Sequence, residues 1–359
     1  DAQRALHAAR KERAFHWPFE FPEVFEKGGF NAILGNPPFL GRRNLRIGLG
    51  DDYRDILTNL WPTISQGADL CVFFFRNAFD QLLSYKGFIG FIASNTIAQG
   101  TTRESGLDQI IKNGGIIYNA IQSLIWPGTA NVYVAIVHIT KFKYVGNYYL
   151  EGKMVRRISS FLDDGEVNSK PELIRSNENI GFQGLIPLGD GFFVDLSVAN
   201  ELLGDGKSQE VLYKFYNGKI FYSSPDLDSN LWIINFGERD IKQAEKYPKC
   251  FSILYKQIYK NLAPKQLQDR PNWWRFWRSR PELQKAINKL DRVLVTAFTS
   301  STFAFAFLPT NTVCSNALVI FAMDGYDDFS VMQSGLHYAW VIKYASTMKT
   351  DLRYTPTDC

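Results

Sequence analysis

The chain has 359 residues, of which 45% are hydrophobic and 21% charged, and its formal net charge at pH 7 is +4. This length allows two domains with separate cores, and the composition excludes a disordered or fibrous protein. The mild positive charge permits nucleic-acid binding without requiring it. No apolar run reaches the roughly 18 residues of a membrane-spanning helix, so no membrane partner is expected.

Cysteine and histidine residues are few and widely spaced. The cysteines lie at positions 71, 250, 314 and 359 without a Cys-x-x-Cys pair, and the four histidines are scattered. We therefore predict no disulfide framework, no metal site and a reducing, cytoplasmic location. The chain begins with Asp-Ala-Gln-Arg, which is neither a signal peptide nor a start at Met, so we expect a piece of a longer protein.

The first 145 residues are predicted to alternate between helices and strands. Residues 41–50 form a basic, glycine-bearing loop in which Arg42 and Arg43 either meet DNA phosphates or are simply solvated. The remaining predicted elements are a helix over 3–14, a buried strand over 30–34, a buried helix over 69–83, a central parallel strand over 87–93, a helix over 107–113 and a hairpin of 116–125 and 132–140. This order predicts the C-terminal half of a doubly wound α/β sheet.

The tetrad Asn36–Phe39, with the sequence Asn-Pro-Pro-Phe, directly follows the predicted strand 30–34. The side-chain carbonyl of Asn36 and the backbone carbonyl of Pro37 can accept hydrogen bonds from both hydrogens of an exocyclic amino group, which localises its lone pair for attack on a methyl donor. Pro37 and Pro38 stiffen the loop, and Phe39 offers a face for stacking of a flipped base. The alternative is an ordinary turn that ends a strand.

The second part of the chain has a different texture. Residues 146–179 are predicted to be a linker, and residues 180–359 a second domain rich in aromatics and short strands. Between 251 and 300, ten Lys/Arg face three Asp/Glu, an excess of seven, and the basic residues alternate with Trp273, Trp274, Phe276 and Trp277. This pattern indicates either a nucleic-acid surface or an amphipathic core helix with buried tryptophans and solvated arginines.

The candidate DNA contacts of the second domain follow from this basic segment. Candidates for phosphate contacts are Lys256, Lys265, Arg270, Arg275, Arg278 and Arg280. Gln266, Asn272 and Arg275 are candidates for contacts with base edges.

Four ordered segments carry a family resemblance: 30–39 around the tetrad, Gly67–Cys71 before a helix, Gly87–Thr96, and Trp126–Val132 with the sequence Trp-Pro-Gly-Thr-Ala-Asn-Val. Together with 15–25 and 352–359, they resemble adenine-N6 DNA methyltransferases of the gamma arrangement. More narrowly, the chain is similar to type IIG restriction-modification enzymes of the MmeI-like or Eco57I-like group.

The resemblance implies a partial Rossmann-like methyltransferase sheet over 1–145, followed by an α+β target-recognition domain over 180–359. It implies S-adenosylmethionine as cofactor and double-stranded DNA as partner. The main donor-binding loop and any nuclease part would then lie upstream in the same polypeptide, and the fragment alone would be inactive.

The resemblance also implies residue roles. Asn36 and Pro37 would bind the adenine amino group, Phe39 would stack on the flipped base, and Trp126 would pack on its opposite face or simply fill the hairpin turn. Asn36 and Asp69 would touch the donor, although Asp69 equally fits a helix cap. Two other functions stay open: a DNA-binding specificity module without activity, and a methyltransferase that acts on RNA or on protein glutamine.

Overall fold

Strands form the centre of the first of two compact units, Asp1–Pro171 and Glu172–Cys359, into which the chain divides. The computed structural model describes residues 15–127, 129, 132–165, 171–172, 174–348 and 351–358, without the side chains of 42–44, 46 and 264. The predicted helix over 3–14 lies outside this part. The strands of the first unit are β1 (Phe30–Gly35), β2 (Leu83–Ser94), β3 (Ile116–Ile125), β4 (Tyr133–Thr140), β5 (Tyr148–Leu150) and β6 (Lys153–Val155).

These strands make one sheet in the order β1-β2-β4-β3-β5-β6. Strand β1 pairs in parallel with β2, whereas β4 lies antiparallel between β2 and β3. The predicted strands over 30–34, 87–93, 116–125 and 132–140 are confirmed. Along β2, Ile89, Phe91 and Ala93 face the core, and the alternate residues are half-buried, as the two-residue period of a strand requires.

Helices of the first unit are mostly short. They are α1 (Trp17–Glu20), α2 (Pro22–Phe25), α3 (Arg42–Leu60), α4 (Cys71–Asn77) with a π-helical turn over Ala78–Leu82, α5 (Gly100–Ser105) and α6 (Leu107–Lys112), and a 3₁₀ turn covers Asn95–Ala98. The predicted buried helix over 69–83 corresponds to α4 and its π-helical turn. The predicted helix over 107–113 corresponds to α6.

The predicted loop over 41–50 is wrong, because the backbone is helical from Arg42 onwards. Three glycines, at positions 41, 48 and 50, suggested a loop. Within the helix only Gly50 departs from helical geometry, with φ 81° and ψ 168°, and it separates two helical segments. Leu45 is buried in the core of the unit and Leu57 packs against it. Tertiary packing of these leucines therefore outweighs the low helix propensity of glycine.

Part of the predicted linker over 146–179 belongs to the first sheet. Strands β5 and β6 are joined by Glu151 and Gly152, which both have positive φ values, 52° and 72°. Two such residues make the turn that favours a tight hairpin, and glycine adopts it without strain. Ile158 and Leu162 also join the core of this unit. The first unit thus extends beyond the predicted boundary at 145.

Over its described residues, the second unit combines three sheets with several helices. Its strands are β7 (Gly181–Gln183), β8 (Phe193–Val194), β9 (Leu212–Tyr216), β10 (Trp232–Ile234), β11 (Arg292–Ala297), β12 (Thr299–Ser300), β13 (Ala306–Pro309), β14 (Thr312–Cys314), β15 (Leu318–Phe321), β16 (Ser346–Met348) and β17 (Asp351–Arg353). The sheet orders are β14-β9-β10-β8, β13-β11-β15-β7 and β12-β17-β16. The chain as a whole is therefore of the mixed α/β class.

Helices of the second unit begin at residues suited to that position. They are α7 (Leu196–Leu203), α8 (Gly218–Ser223), α9 (Ile241–Ala244), α10 (Pro248–Gln257), α11 (Pro264–Asp269), α12 (Pro281–Ile287), α13 (Tyr326–Met332) and α14 (Gly335–Tyr344), and 3₁₀ turns cover Arg175–Asn177, Asp190–Phe192, Ser208–Glu210 and Tyr259–Asn261. Asp195 caps α7 through the Val198 N–H, and prolines open α10, α11 and α12. The basic stretch is thus broken into separate short helices. No helix within the described ranges is long and apolar enough to cross a membrane.

Three cysteines of the described chain, Cys71, Cys250 and Cys314, are free thiols in the hydrophobic cores. Burial raises the pKa of the Cys314 thiol to about 12 and raises the pKa of Cys71 well above its usual range. Because the thiolate is the reactive form, we expect maleimide to leave all three unmodified in the native protein and to modify them in denaturant. Mass spectrometry of the peptides checks this, and fast native labelling of Cys314 would contradict the burial.

Candidate active site

The tetrad and Trp126 follow strands that end at the same edge of the first sheet. Gly35, the last residue of β1, pairs with Phe91 of β2, and Ser94, the last residue of β2, pairs with Val134 of β4. At the end of the hairpin, Ile125 of β3 pairs with Tyr133. Because β1, β2 and β3 point the same way, the loops after them meet at one edge, where open α/β sheets bind their ligands.

The tetrad itself combines exposed and buried positions. Asn36 and Pro38 are exposed, Pro37 is buried, and Phe39 is half-buried and packs against the core of the first unit. The prolines fix φ near −65° and remove two N–H donors, so the loop presents carbonyl groups on a stiff backbone. The Asn36 amide is therefore open to solvent at the edge of the sheet while Phe39 anchors the loop.

Leu40, the residue after the tetrad, is held through both of its backbone polar groups. Its N–H donates to Oδ1 of Asp69 over 3.2 Å, and its carbonyl accepts from the N–H of Leu70 over 3.0 Å. Oδ1 of Asp69 also accepts from the Cys71 N–H over 3.1 Å, at the start of α4. One Asp69 oxygen thus joins the first residue of α4 to the residue that follows the tetrad. The N-cap of α4 is Leu70, and its side chain makes no capping bond.

Asp69 lies inside the protein, with 8% of its surface exposed. Burial raises the pKa of its carboxyl, and hydrogen bonds from the Cys71 and Leu40 amides oppose this rise. The Asp69 N–H donates to Oγ1 of Thr102 on α5 over 3.2 Å, which fixes the backbone beneath the carboxylate. The parts played by Leu40 and Thr102 had no signal in the sequence.

Trp126 follows β3 and is half-buried. Its N–H donates to the Val132 carbonyl over 3.0 Å, which closes the loop between β3 and β4. This backbone bond is compatible with a Trp126 ring that stacks on the flipped base and with one that only fills the hairpin turn. The stacking role therefore stays a prediction.

The aromatic residues of the basic segment differ in burial. Trp273, Trp274 and Phe276 are buried in the core of the second unit, and Trp274 Nε1 donates to the Arg239 carbonyl over 3.0 Å. Trp277 is 58% exposed. The core alternative is therefore correct about the burial of three of these rings but wrong about the helix, because residues 270–280 lie outside any helix. Of the four rings, Trp277 lies at the surface.

Several arginines predicted to contact DNA bind groups of their own unit. Arg275 donates from Nη2 to the Glu238 carbonyl over 2.6 Å and from Nε to the Arg239 carbonyl over 2.9 Å. Arg280 pairs with Glu282 at 3.7 Å, and Arg270 donates to the Leu188 carbonyl over 3.3 Å.

Other predicted contacts remain at the surface. Lys256, Lys265, Arg278 and Asn272 are exposed, whereas Gln266 uses its side-chain carbonyl to accept from the Ala263 N–H. The Arg42 and Arg43 side chains lie outside the described part of the protein. Among the described residues, no group of three or more His, Cys, Asp or Glu could hold a metal ion.

The segment that contains this sheet edge and the tetrad is similar to restriction-modification methylases. Residues 2–122 match the family model described as Eco57I restriction-modification methylase. MmeI, a Type IIL restriction-modification enzyme solved in complex with DNA, shares the fold with a TM-score of 0.73 over 96% of this chain, at 18% identity. The resemblance to the MmeI-like or Eco57I-like restriction-modification group, indicated by the sequence, is thus confirmed.

The chain covers 47% of the MmeI structure, about half of its length. The DrdV–DNA complex also matches, with a TM-score of 0.43 and 11% identity over 84% of this chain and 37% of that one. No curated protein matches the chain.

Proposed function

We propose that this chain carries the acceptor-base pocket of an enzyme that methylates N6 of adenine in a specific duplex DNA sequence, as part of a restriction-modification protein. The observation that carries the proposal is the Asn36–Phe39 loop. It lies at the carboxyl edge of the sheet with the Asn36 amide exposed, inside the segment 2–122 that matches the methylase family model.

The chemistry follows from two acceptors on one stiff loop. Adenine leaves the duplex and enters the pocket with its amino group towards Asn36. The Asn36 side-chain carbonyl and the Pro37 backbone carbonyl accept the two amino hydrogens, which concentrates the nitrogen lone pair on the reacting side. Phe39 and Trp126 hold the ring by stacking, and buried Pro37 keeps its carbonyl from shifting.

S-adenosylmethionine, when bound, supplies an electrophilic methyl group. The described residues could form only one side of a binding pocket for S-adenosylmethionine. Asn36 is exposed at the correct edge, whereas the Asp69 carboxylate is used by the Leu40 and Cys71 amides. Strand β1 is the outermost strand of the described sheet, and its Leu34 is 80% exposed. This supports a further segment of the full-length protein beside β1, which carries the main donor loop.

In the same proposal the second unit reads the DNA sequence. Exposed Lys256, Lys265 and Arg278 are its candidates for phosphate contacts, and Trp277 adds an exposed aromatic face in the same segment. The free, buried thiols support a reducing compartment such as the cytoplasm.

The test uses the full-length protein with S-adenosylmethionine labelled in the methyl group. It is incubated with unmethylated genomic DNA, total RNA and a protein extract in parallel, and nucleosides from the labelled DNA are separated by mass spectrometry. We expect label in DNA as N6-methyladenine. Label only in RNA or protein, label on cytosine, or DNA binding without any transfer would each refute the proposal.

A further inference from the structure

Leu40, the residue after the tetrad, is bound by a segment far from it in sequence. Its N–H donates to the carboxylate of Asp69, 29 positions away, and its carbonyl accepts from the Leu70 N–H. The two bonds run in opposite directions between one pair of backbone segments. A loop held in this way cannot slide along its partner, because any shift breaks both bonds together.

The segment that holds the loop is itself fixed to α5. The Asp69 N–H donates to Oγ1 of Thr102, and the Ser65 N–H donates to Oγ of Ser105 over 3.0 Å. Thr102 and Ser105 are both buried. A side chain on α5 therefore sets the position of the Asp69 backbone, and the Asp69 carboxylate sets the position of Leu40.

Helix α5 is anchored in turn by a buried ion pair. Nη1 of Arg103 lies 2.7 Å from Oδ2 of Asp108, and the guanidinium lies over the Phe161 ring at 3.8 Å from its centroid. Both charged partners are buried, so the pair has one favourable geometry rather than a range of solvated ones. A continuous series of contacts therefore runs from the ion pair of α5 through Thr102 and Asp69 to Leu40.

We propose that Asp69 is a positioning residue for methyl transfer: it holds the tetrad, through Leu40, in the place where Asn36 and Pro37 meet the amino group. This inference rests on the proposed function. It assigns the carboxylate to the acceptor loop and not to the methyl donor. This role requires an oxygen acceptor at the position of Oδ1 but not a negative charge, because both groups that donate to Oδ1 are neutral backbone amides.

The test compares Asp69→Asn with Asp69→Ala in the full-length protein. Asparagine keeps an oxygen at the same place and should transfer methyl groups within about threefold of wild type. Alanine removes the acceptor, and we expect the single-turnover rate to fall by about 100-fold, because a misplacement near 1 Å has an effect of that size. The affinities for DNA and for S-adenosylmethionine should change by less than about twofold, since neither is bound by Asp69.

Asp80→Ala is the matched control. Asp80 lies in the π-helical turn after α4 and pairs with buried Arg76 at 2.8 Å. Arg76 keeps its own bond to the Ser105 carbonyl of α5 over 3.1 Å, so the removal of Asp80 perturbs the unit without removing a bond between α5, Asp69 and Leu40. We expect this variant to melt at a lower temperature but to keep the wild-type rate per folded molecule. An Asp69→Ala enzyme that keeps the wild-type rate would overturn the inference. So would equal losses in both Asp69 variants, or a matching loss of donor affinity.

A second measurement does not depend on activity. Hydrogen exchange of peptides that contain Leu40 should accelerate at least tenfold in Asp69→Ala and stay near wild type in Asp69→Asn and Asp80→Ala. Unchanged exchange in Asp69→Ala would mean that the carboxylate does not hold the loop. The two proposals can fail separately. If the variants show the expected differences in exchange but the wild-type protein transfers no methyl groups to DNA, the proposed function is refuted and the contact between Asp69 and Leu40 stands.

Discussion

Replacing Asn36 by alanine is expected to lower the rate of methyl transfer to DNA by about 100- to 1,000-fold, the effect of losing one acceptor or donor aimed at a transition state. The exposed Asn36 side chain supports no core packing, so the folded state should be unaffected. The affinity for DNA should change little, because the hydrogen bond to the amino group gains strength mainly as the nitrogen attacks. Single-turnover rates with saturating enzyme, and fluorescence anisotropy of labelled DNA, measure the two effects separately.

Asn31→Ala is the control for this substitution. Asn31 is an exposed asparagine of β1, at the end of the strand opposite to Asn36, where its side chain accepts from the Ser84 hydroxyl over 3.2 Å. We expect it to leave the methylation rate within about twofold of wild type, as surface substitutions usually have small effects. A comparable loss in both variants, or a collapse of DNA binding in Asn36→Ala alone, would remove the assigned role from Asn36.

The central strands of the first unit could be predicted because their apolar runs are continuous and are closed by turn residues. The run 87–93 lies inside β2, and the residues 116–125 form β3 as expected. Helix α3 was missed, since Gly48 and Gly50 indicate a loop by propensity while the burial of Leu45 decides the outcome. Local propensity is informative only where no tertiary contact opposes it.

In the candidate site, too, the contiguous residues could be predicted from the sequence and the long-range contacts could not. The tetrad is contiguous, so the sequence alone is enough to predict a chemical role for it. Its support is not, because Leu40, Asp69 and Thr102 are joined by bonds that span 29 and 33 positions. Asp69 carried two interpretations in the sequence, donor contact or helix cap, and neither of them predicted the bond by which its oxygen holds Leu40.

In the basic segment, the sequence could not predict which aromatic rings are buried. Its composition indicates aromatic and basic residues at high density, but composition does not tell which ring faces the core. Trp273 and Trp277 lie four positions apart, yet the first is buried and the second exposed. The difference arises because the segment after α11 is irregular up to Pro281, so no helical period relates the two rings.

Alanine substitutions at these two tryptophans should therefore have opposite effects. Trp273 packs against Phe251 and Tyr259, with ring centroids 5.5 and 5.2 Å apart, so Trp273→Ala should lower the free energy of unfolding by about 3 to 5 kcal/mol. Trp277→Ala should change stability by less than about 1 kcal/mol but weaken DNA binding by about 1 kcal/mol or more, the lower end for a lost stacking face. Thermal unfolding and DNA titration of the folded proteins measure the two quantities.

The pair is its own control, because both substitutions remove the same side chain from the same segment. If the second unit reads DNA through this surface, the folded fraction of Trp273→Ala should bind DNA with nearly wild-type affinity. The loss in Trp277→Ala should persist at high salt, since stacking is screened less than the phosphate contacts of Lys256, Lys265 and Arg278. Unchanged DNA affinity in Trp277→Ala would remove the ring from the interface. The proposed contact would then rest on the exposed basic side chains alone, whose contribution falls steeply as salt is added.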